Sequence, residues 1–223
     1  MKVFVVIAAY NEEQTIKQVA AEVRNQGYQV LVVDDGSTDQ TAKLASEAGA
    51  VVLSHSFNRG QGAALQTGIV YALNQKAEII VTFDGDGQFL AEEIKTVIKP
   101  IVDGKVQVVL GSRFLKPGGT VPRKKEMILR LATWVTNLYT GLKLTDIHNG
   151  FRAFSRQAAF GLDIRQDGMA HASEILEQIK RFNFKYQEVP VTVKYTEYSL
   201  KKGQKLSNSF RIILDLLISR ISQ

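Results

Sequence analysis

Residues 78–88 read Glu78-Ile79-Ile80-Val81-Thr82-Phe83-Asp84-Gly85-Asp86-Gly87-Gln88. An apolar run that stops abruptly at acidic residues and glycines is the pattern of a strand buried on both faces, whose carboxyl end opens onto a ligand. In extended backbone, residues at i, i+2 and i+4 point the same way, so Asp84, Asp86 and Gln88 can converge. Such a group of oxygen-bearing side chains suits magnesium, which takes one or two carboxylates and fills its other positions with water and substrate phosphates. Gly85 and Gly87 remove bulk and let a ligand approach the backbone. Asp-Gly pairs also form ordinary turns, so this stretch alone leaves both readings open.

The same strand-then-acid pattern recurs upstream. Residues 2–8 read as a buried strand, after which Asn11 is expected to cap a helix, with Gln14 completing a capping box. A second strand over 29–33 ends in Asp34-Asp35-Gly36-Ser37, and a helix is expected over 38–48. A strand over 51–54, a helix over 62–74, a helix over 91–102 and a strand over 106–111 continue the alternation. This pattern predicts an α/β fold with a mostly parallel sheet and helices on both faces. Beyond a Gly/Pro loop at 116–122, a helix is expected over 124–139, strands near 151–154 and 186–193, a basic loop, and a last helix over 208–221. No repeat, low-complexity tract or linker divides the 223 residues, which are expected to form one domain.

A content of 45% hydrophobic and 22% charged residues excludes a disordered chain, and the absence of cysteine excludes disulfides and thiolate metal sites. No apolar run reaches the ~18 residues of a membrane span. Asn11-Glu12-Glu13 cuts off the first apolar run where a signal peptide would be cleaved, so none is expected. The net charge is +6, unevenly spread: residues 1–110 carry 9 Lys/Arg against 13 Asp/Glu, and residues 111–223 carry 19 against 9. The second half is therefore expected to meet something anionic. Nucleic acid is disfavoured, because the basic half lacks interleaved aromatics and matches no binding motif.

Gly60-Gln61-Gly62-Ala63-Ala64-Leu65 begins like a dinucleotide fingerprint. Leu65 stands where a small residue belongs, and Ser56-Phe57-Asn58-Arg59 separates the first glycine from its strand. Nicotinamide binding is not expected, although Arg59 and the free N–H groups can order this loop near a nucleotide. His171 and Glu174 share a helix face and read as a helix start rather than a metal site. Trp134 and Tyr139 read as core or interface, and His148 as structural.

Several stretches stand in order along the chain: Tyr10-Asn11-Glu12, Asp34-Asp35-Gly36-Ser37-Thr38-Asp39, Asp84-Gly85-Asp86-Gly87-Gln88 and Gly111-Ser112-Arg113. Thr145-Asp146-Ile147-His148-Asn149-Gly150-Phe151-Arg152 and Lys202-Gly203-Gln204-Lys205 follow. Together they resemble the inverting family 2 glycosyltransferases of GT-A fold, of the dolichol-phosphate mannose synthase and polyprenyl-phosphate glycosyltransferase type. The resemblance covers nearly the whole chain. It implies that residues 1–110 bind a GDP- or UDP-linked sugar and residues 111–223 an acceptor. Asp35, with the backbone around Ala8, Tyr10 and Val33, would hold base and ribose, and Glu12 would fix the same pocket. Asp84, Gly85, Asp86 and Gln88 would hold Mg²⁺ or Mn²⁺ and the donor diphosphate, with Asp86 central to catalysis. Arg113, beside Asn149, would contact an acceptor phosphate, while Lys202 and Lys205 would close over the diphosphate. Asn149 stands where many relatives carry Ser, Gly85 where Ala is frequent, and the basic loop has Lys where Arg is common.

A polyprenyl-phosphate acceptor, with a second pKa near ~6, is ionised at neutral pH and needs no general base. A sugar hydroxyl of a cell-surface polysaccharide or lipid-linked glycan would need one, and Asp146 would then serve. A non-catalytic nucleotide-sugar-binding subunit is the rival outside enzymology, and the intact Asp84-x-Asp86 pair argues against it. In residues 210–221, Phe210, Ile213, Leu214, Leu217 and Ile221 form one stripe, edged by Lys201, Lys202, Lys205, Arg211 and Arg220. Such a helix either lies in a membrane interface or packs on the sheet or a second subunit. The implied location is cytoplasmic and peripheral, at the inner membrane face, with a membrane-protein partner or a homo-oligomer both compatible.

Overall fold

The structure, a computed structural model, describes residues 1–116, 123–168 and 170–195. Strands β1 (Val3–Ala9), β2 (Gln29–Asp34), β3 (Val51–Ser54) and β4 (Ile79–Asp84) run parallel to one another. With β5 (Val108–Ser112), β6 (Arg152–Ser155) and β7 (Tyr186–Pro190) they make a seven-stranded sheet in the order β3-β2-β1-β4-β6-β5-β7. The helices are α1 (Ile16–Asn25), α2 (Thr41–Glu47), α3 (Gln61–Asn74), α4 (Ile94–Val102), α5 (Arg123–Thr140), α6 (Arg156–Gly161) and α7 (His171–Arg181). No helix among the described residues is long and apolar enough to cross a membrane.

Strands β1, β2, β4 and β5 are apolar along most of their length because both faces are covered. Val3, Val5, Ile7 and Ala9 of β1 meet α1, α2 and α4, while Phe4 and Val6 face the layer of α3, α5, α6 and α7. Helix α1 docks through Ile16, Val19, Ala20 and Val23, a stripe at helical spacing. The path from β1 to β3 builds the sheet in one direction, and α3 then returns the chain to β4 on the other side of β1. Strand order thus reverses between β1 and β4, the position at which an open α/β sheet leaves a crevice for a ligand.

Strand β6 runs antiparallel to both β4 and β5. Its first residue, Arg152, pairs with Thr82 and with Leu110 near the carboxyl ends of those strands. The segment that leads into β6 is therefore laid across the same edge as the acidic strand ends.

Asn11 does not cap a helix. It adopts a left-handed backbone (φ 54°), its N–H donates to Ser37 Oγ at 2.9 Å, and its Oδ1 accepts from the Thr38 N–H at 2.9 Å. The polar groups that would have capped a helix instead tie the end of β1 to the turn after β2, and α1 starts only at Ile16. Helix α2 is likewise delayed to Thr41, whose N–H is taken by Asp39 Oδ1 at 2.9 Å. Helix α6 was not apparent from the sequence; at six residues it is too short for a periodic signal, and Ser155 caps it by accepting from the Ala158 N–H at 3.2 Å.

Beneath the acidic end of β4, Phe83 packs edge-on to Phe89 and Phe151 at centroid distances of 5.5 and 5.0 Å, and Phe89 lies 5.2 Å from Phe151. This buried cluster joins β4, the turn after it and the segment before β6. Phe151→Ala should lower unfolding free energy by about 3–5 kcal/mol in a urea titration, with Phe151→Leu costing clearly less.

Candidate functional site

In the crevice, Ala8 of β1 pairs with Val33 on one side and with Asp84 on the other. The first expected donor residues are therefore neighbours across three strands. Val33 is buried toward α3, while Tyr10 projects into solvent. Asp35 is buried, and its N–H donates to Ala9 O at 2.8 Å. Its carboxylate accepts from the backbone N–H of Arg59 (3.0 Å) and of Gly60 (2.6 Å) and lies 2.7 Å from His55 Nδ1. Because a carboxylate only accepts, Nδ1 carries a proton, and Nε2 meets the Thr67 hydroxyl at 3.0 Å. Asp35 thus moulds the glycine loop that resembled a dinucleotide fingerprint into one wall of the crevice.

At the end of β4 the chain turns rather than continuing extended, and Gly87 takes a left-handed φ of 75°. The turn, not strand alternation, brings Asp86 beside Asp84. Asp86 Oδ1 accepts from the Gln88 N–H at 3.0 Å, and Gln88 O accepts from the Lys194 N–H at 2.8 Å. Glu12 is buried on the α1 side. The Thr15 hydroxyl bridges it to the acidic turn, 3.2 Å from Glu12 Oε2 and 2.7 Å from Gly85 O. Asp84 Oδ1 accepts from Gln61 Nε2 at 3.1 Å, at the start of α3. Gly150 packs so tightly above it that a Cβ would stand 2.8 Å from both carboxylate oxygens.

Burial pushes the Asp84 carboxyl up to about 7, and Asp86 adds to the rise; Arg152 and Arg113 oppose it and Glu12 reinforces it. Arg152 is itself buried, with its pKa lowered to about 10 by desolvation in spite of Asp84 and Asp146. Its Nε donates to Asn149 O at 3.0 Å and its Nη2 to Ile147 O at 3.2 Å. Two crowded carboxylates and an amide oxygen are hard donors of the type that magnesium and manganese take. Among the described residues no three His, Cys, Asp or Glu side chains form a ready-made cage. A cation at Asp84 and Asp86 would therefore complete its shell from solvent and substrate.

Across the crevice, Arg113 Nε donates to Asp146 Oδ2 at 2.6 Å, its Nη1 to Tyr195 Oη at 3.1 Å and its Nη2 to His148 O at 3.2 Å. Burial works against this guanidinium, but Asp146 and Tyr195 outweigh it and raise its pKa. Asp146 also accepts from the backbone N–H of Arg113 (3.1 Å) and of His148 (3.3 Å), and Asn149 Nδ2 stands 3.4 Å away. Glu188, raised by burial, holds this segment from below by accepting from the backbone N–H of Thr145 and of Asp146. His148 is driven down to about 4 mainly by burial, and its Nε2 is buried with no hydrogen-bond partner. His171, also pushed down to about 4 by burial, donates from Nδ1 to Gly168 O at 2.8 Å. Glu174 accepts from the backbone of Arg165 and Gln166. Both residues belong to a helix start.

The Glycosyl transferase family 2 model matches residues 4–160, which include the crevice from β1 to α6. The chain belongs to that family. The transferase is 32% identical over 243 residues to a UDP-N-acetylglucosamine–dolichyl-phosphate N-acetylglucosaminyltransferase of Methanococcus voltae, covering 99% of this chain and 97% of the relative. It is 28% identical to a polyprenol monophosphomannose synthase of Mycolicibacterium smegmatis, covering 94% and 83% of the two chains. Its fold matches that of Mycobacterium tuberculosis glucosyl-3-phosphoglycerate synthase, solved with Mn²⁺ and UDP, at a TM-score of 0.75 and 21% identity, covering 98% and 79% of the two chains. The architecture is GT-A, as the sequence resemblance implied.

The structure assembles Ala8, Glu12, Val33, Asp35, Asp84, Gly85, Asp86 and Gln88 along one side of the crevice and Arg113, Asp146 and Asn149 along the other. Lys202 and Lys205 lie outside the described residues, as does the expected helix over 208–221. Sequence reasoning missed Gln61, His55, Arg152, Glu188 and Tyr195. Only Arg152 carried a signal, as a charge inside the apolar run Phe151-Arg152-Ala153-Phe154.

The raised Asp84 pKa has a measurable consequence in metal-free protein. The folded state holds a proton that the unfolded chain, at the ordinary 3.8, has already lost, so this group's contribution to stability is fullest below 3.8 and is lost as pH rises through about 7. Asp84→Asn should flatten that part of the fall in melting temperature. An unchanged pH slope in the variant would contradict the assignment of this burial cost to Asp84.

Proposed function

We propose that this transferase moves a sugar from a nucleotide-sugar to a polyprenyl-phosphate with inversion at the anomeric carbon, using Mg²⁺ or Mn²⁺ held by Asp84 and Asp86, with Gln88 beside them. The observation that carries the reading is the pairing of two unlike walls: crowded carboxylates on the β4 side and a buried arginine on the β5 side. A bound divalent cation supplies Lewis-acid stabilisation of the departing diphosphate. The chain's own residues do the rest. Ala8, Tyr10, Val33 and the Asp35 loop position base and ribose, and the amide of Gln61 and the charge of Arg152 fix Asp84. Lys202 and Lys205 are assigned to the diphosphate and Asn149 to the acceptor side.

The Arg113–Asp146 pair favours a phosphate acceptor. A carboxylate has about four acceptor sites, and Asp146 already faces the N–H groups of Arg113 and His148, the Arg113 guanidinium and the Asn149 amide. It is badly placed to take a proton from a hydroxyl. Arg113 uses three of its five N–H donors, which leaves two for an anion. An ionised phosphate nucleophile needs no base, so this wall suits it. The relatives named for dolichyl- and polyprenol-phosphate transfer support the same acceptor class. Working at such a lipid places the enzyme peripherally at the inner membrane face, alone, as a homo-oligomer or with a membrane-protein partner.

The test is turnover of a nucleotide-sugar panel with a short-chain polyprenyl-phosphate, with and without divalent cation, and the product's anomeric configuration read by NMR. Asp86→Asn keeps side-chain size and removes a charge, and should cost about 10³-fold or more in kcat with the fold intact. Near-wild-type rates in that variant, or transfer to a free sugar hydroxyl in preference to the phosphate, would defeat the proposal.

A further inference from the structure

The chain that leaves β7 crosses from one wall of the crevice to the other. Val191 and Val193 are buried, and Tyr195 follows at the same two-residue spacing and packs on the same core cluster. Backbone and side-chain ties hold this stretch in place. The Val191 N–H donates to Ser112 O at 3.0 Å, at the end of β5. The Thr192 N–H and hydroxyl donate to the two carboxylate oxygens of Glu93, each at 2.7 Å. The Lys194 N–H donates to Gln88 O at 2.8 Å, in the acidic turn after β4. The Tyr195 hydroxyl then accepts from Arg113 Nη1 at 3.1 Å.

Arg113 is anchored from two flanks that lie far apart in sequence. Asp146 Oδ2 takes Nε at 2.6 Å and His148 O takes Nη2 at 3.2 Å, and both belong to the segment before β6. Two contact points define an axis about which a guanidinium can still swing. Tyr195, from the segment after β7, supplies a third contact at the other terminal nitrogen and so fixes the plane. Nη1 and Nη2 carry two N–H groups each, and one contact at each leaves one N–H on each for an anion. Paired donors of this kind suit the fork geometry by which Arg binds phosphate.

We infer that Tyr195 is a positioning residue, whose hydroxyl sets the plane of the Arg113 guanidinium so that its two free N–H groups face the acceptor phosphate. The inference rests on the polyprenyl-phosphate reading for the identity of that anion. Charge gives the hydroxyl a role beyond packing. Asp146, beside Arg113, competes with an incoming phosphate for the same cation. A hydroxyl acceptor holds Nη1 without adding a second negative charge, whereas an apolar ring would leave the guanidinium tied to residues 146–148 alone. The mounting matters as well. Lys194 is fixed on Gln88, whose own N–H donates to Asp86 Oδ1 at 3.0 Å. The residue that orients Arg113 is thereby built onto the acidic turn, and one extended stretch holds the two walls in register.

Tyr195→Phe keeps the ring and removes only the hydroxyl. Binding of a short-chain polyprenyl-phosphate, and of the matching polyprenol that lacks the phosphate, is measured by calorimetry on the full chain with Mn²⁺ and UDP or GDP present. The variant should bind the phosphate about fivefold or more weakly, the scale of a lost hydrogen bond to a charged group, with polyprenol and nucleotide binding unchanged. In an Arg113→Ala background the same change should cost less than about twofold, because two residues that act through one another are not additive. Phosphate binding in Tyr195→Phe as tight as the parent's would overturn the inference. Equal weakening of phosphate, polyprenol and nucleotide would overturn it in favour of packing. A full effect that persists without Arg113 would overturn it by placing the hydroxyl on the phosphate itself. A parent protein that binds the polyprenol as tightly as the phosphate would instead defeat the acceptor reading, and the inference would fall with it.

Discussion

A carboxylate buried beside another carboxylate is costly, and the layout of this fold follows from how that cost is met at Asp84. Desolvation and Asp86 both penalise its charge, and the opposing help comes chiefly from Arg152, a cation that is itself desolvated. Neither would be tolerated as an isolated buried charge; each is kept because hydrogen bonds and opposite charge surround it. Gln61 from α3, the close-packed backbone at Gly150 and the ladder partner Ala8 complete the enclosure. Four separate parts of the chain thus meet at one carboxyl group.

That meeting requires strand β6 to run against its neighbours. In a wholly parallel sheet the chain would leave β6 at the crevice edge. Antiparallel insertion instead delivers residues 146–151 to that edge before the strand begins. Asp146, Asn149 and Gly150 are thereby set opposite the ends of β1 and β4, and Arg152 is sunk between Thr82 and Leu110. The same placement makes Phe151 a keystone under the acidic turn, packed against Phe83 and Phe89. One reversal of strand direction supplies a charge, a packing contact and the wall that carries Asp146.

The parallel half was legible because its physics is local. Strands buried on both faces read as unbroken apolar runs, and the acids at Asp34-Asp35 and Asp84-x-Asp86 mark where they end. What escaped the sequence depends on distant partners. Asn11 has every credential of a helix cap, yet its amide is claimed by Thr38, which only the β1–β2 pairing brings within reach. Convergence of Asp84 and Asp86 was expected for the wrong reason, since the backbone turns at Gly87 instead of staying extended. Tyr195 and Glu188 support the Arg113–Asp146 wall from the segment after β7 and from β7 itself, and nothing near either residue in sequence points there. For Trp134, which is 60% exposed rather than core, an apolar side chain in a helical pattern gave no hint of which side faced inward, because the buried side of α5 carries Thr133, Thr136 and Thr140.

Charge is distributed along the chain as the crevice uses it. The acidic half, residues 1–110, contributes the carboxylates at the ends of β1, β2 and β4, and the basic half contributes Arg113 and Arg152. A diphosphate brought against Asp84 and Asp86 would meet like charge at close range, in surroundings dry enough to raise the Asp84 pKa. Coulomb repulsion between unit charges at 4 Å is about 4 kcal/mol even at an effective dielectric constant near 20. The donor and these two carboxylates can share the crevice only with positive charge between them. Arg152 is already committed to the carbonyls of Ile147 and Asn149. Arg113 faces Asp146 on the other wall. A cation that arrives with the donor would relieve this repulsion, and in the proposed reaction that is the role given to the divalent metal, alongside Lys202 and Lys205.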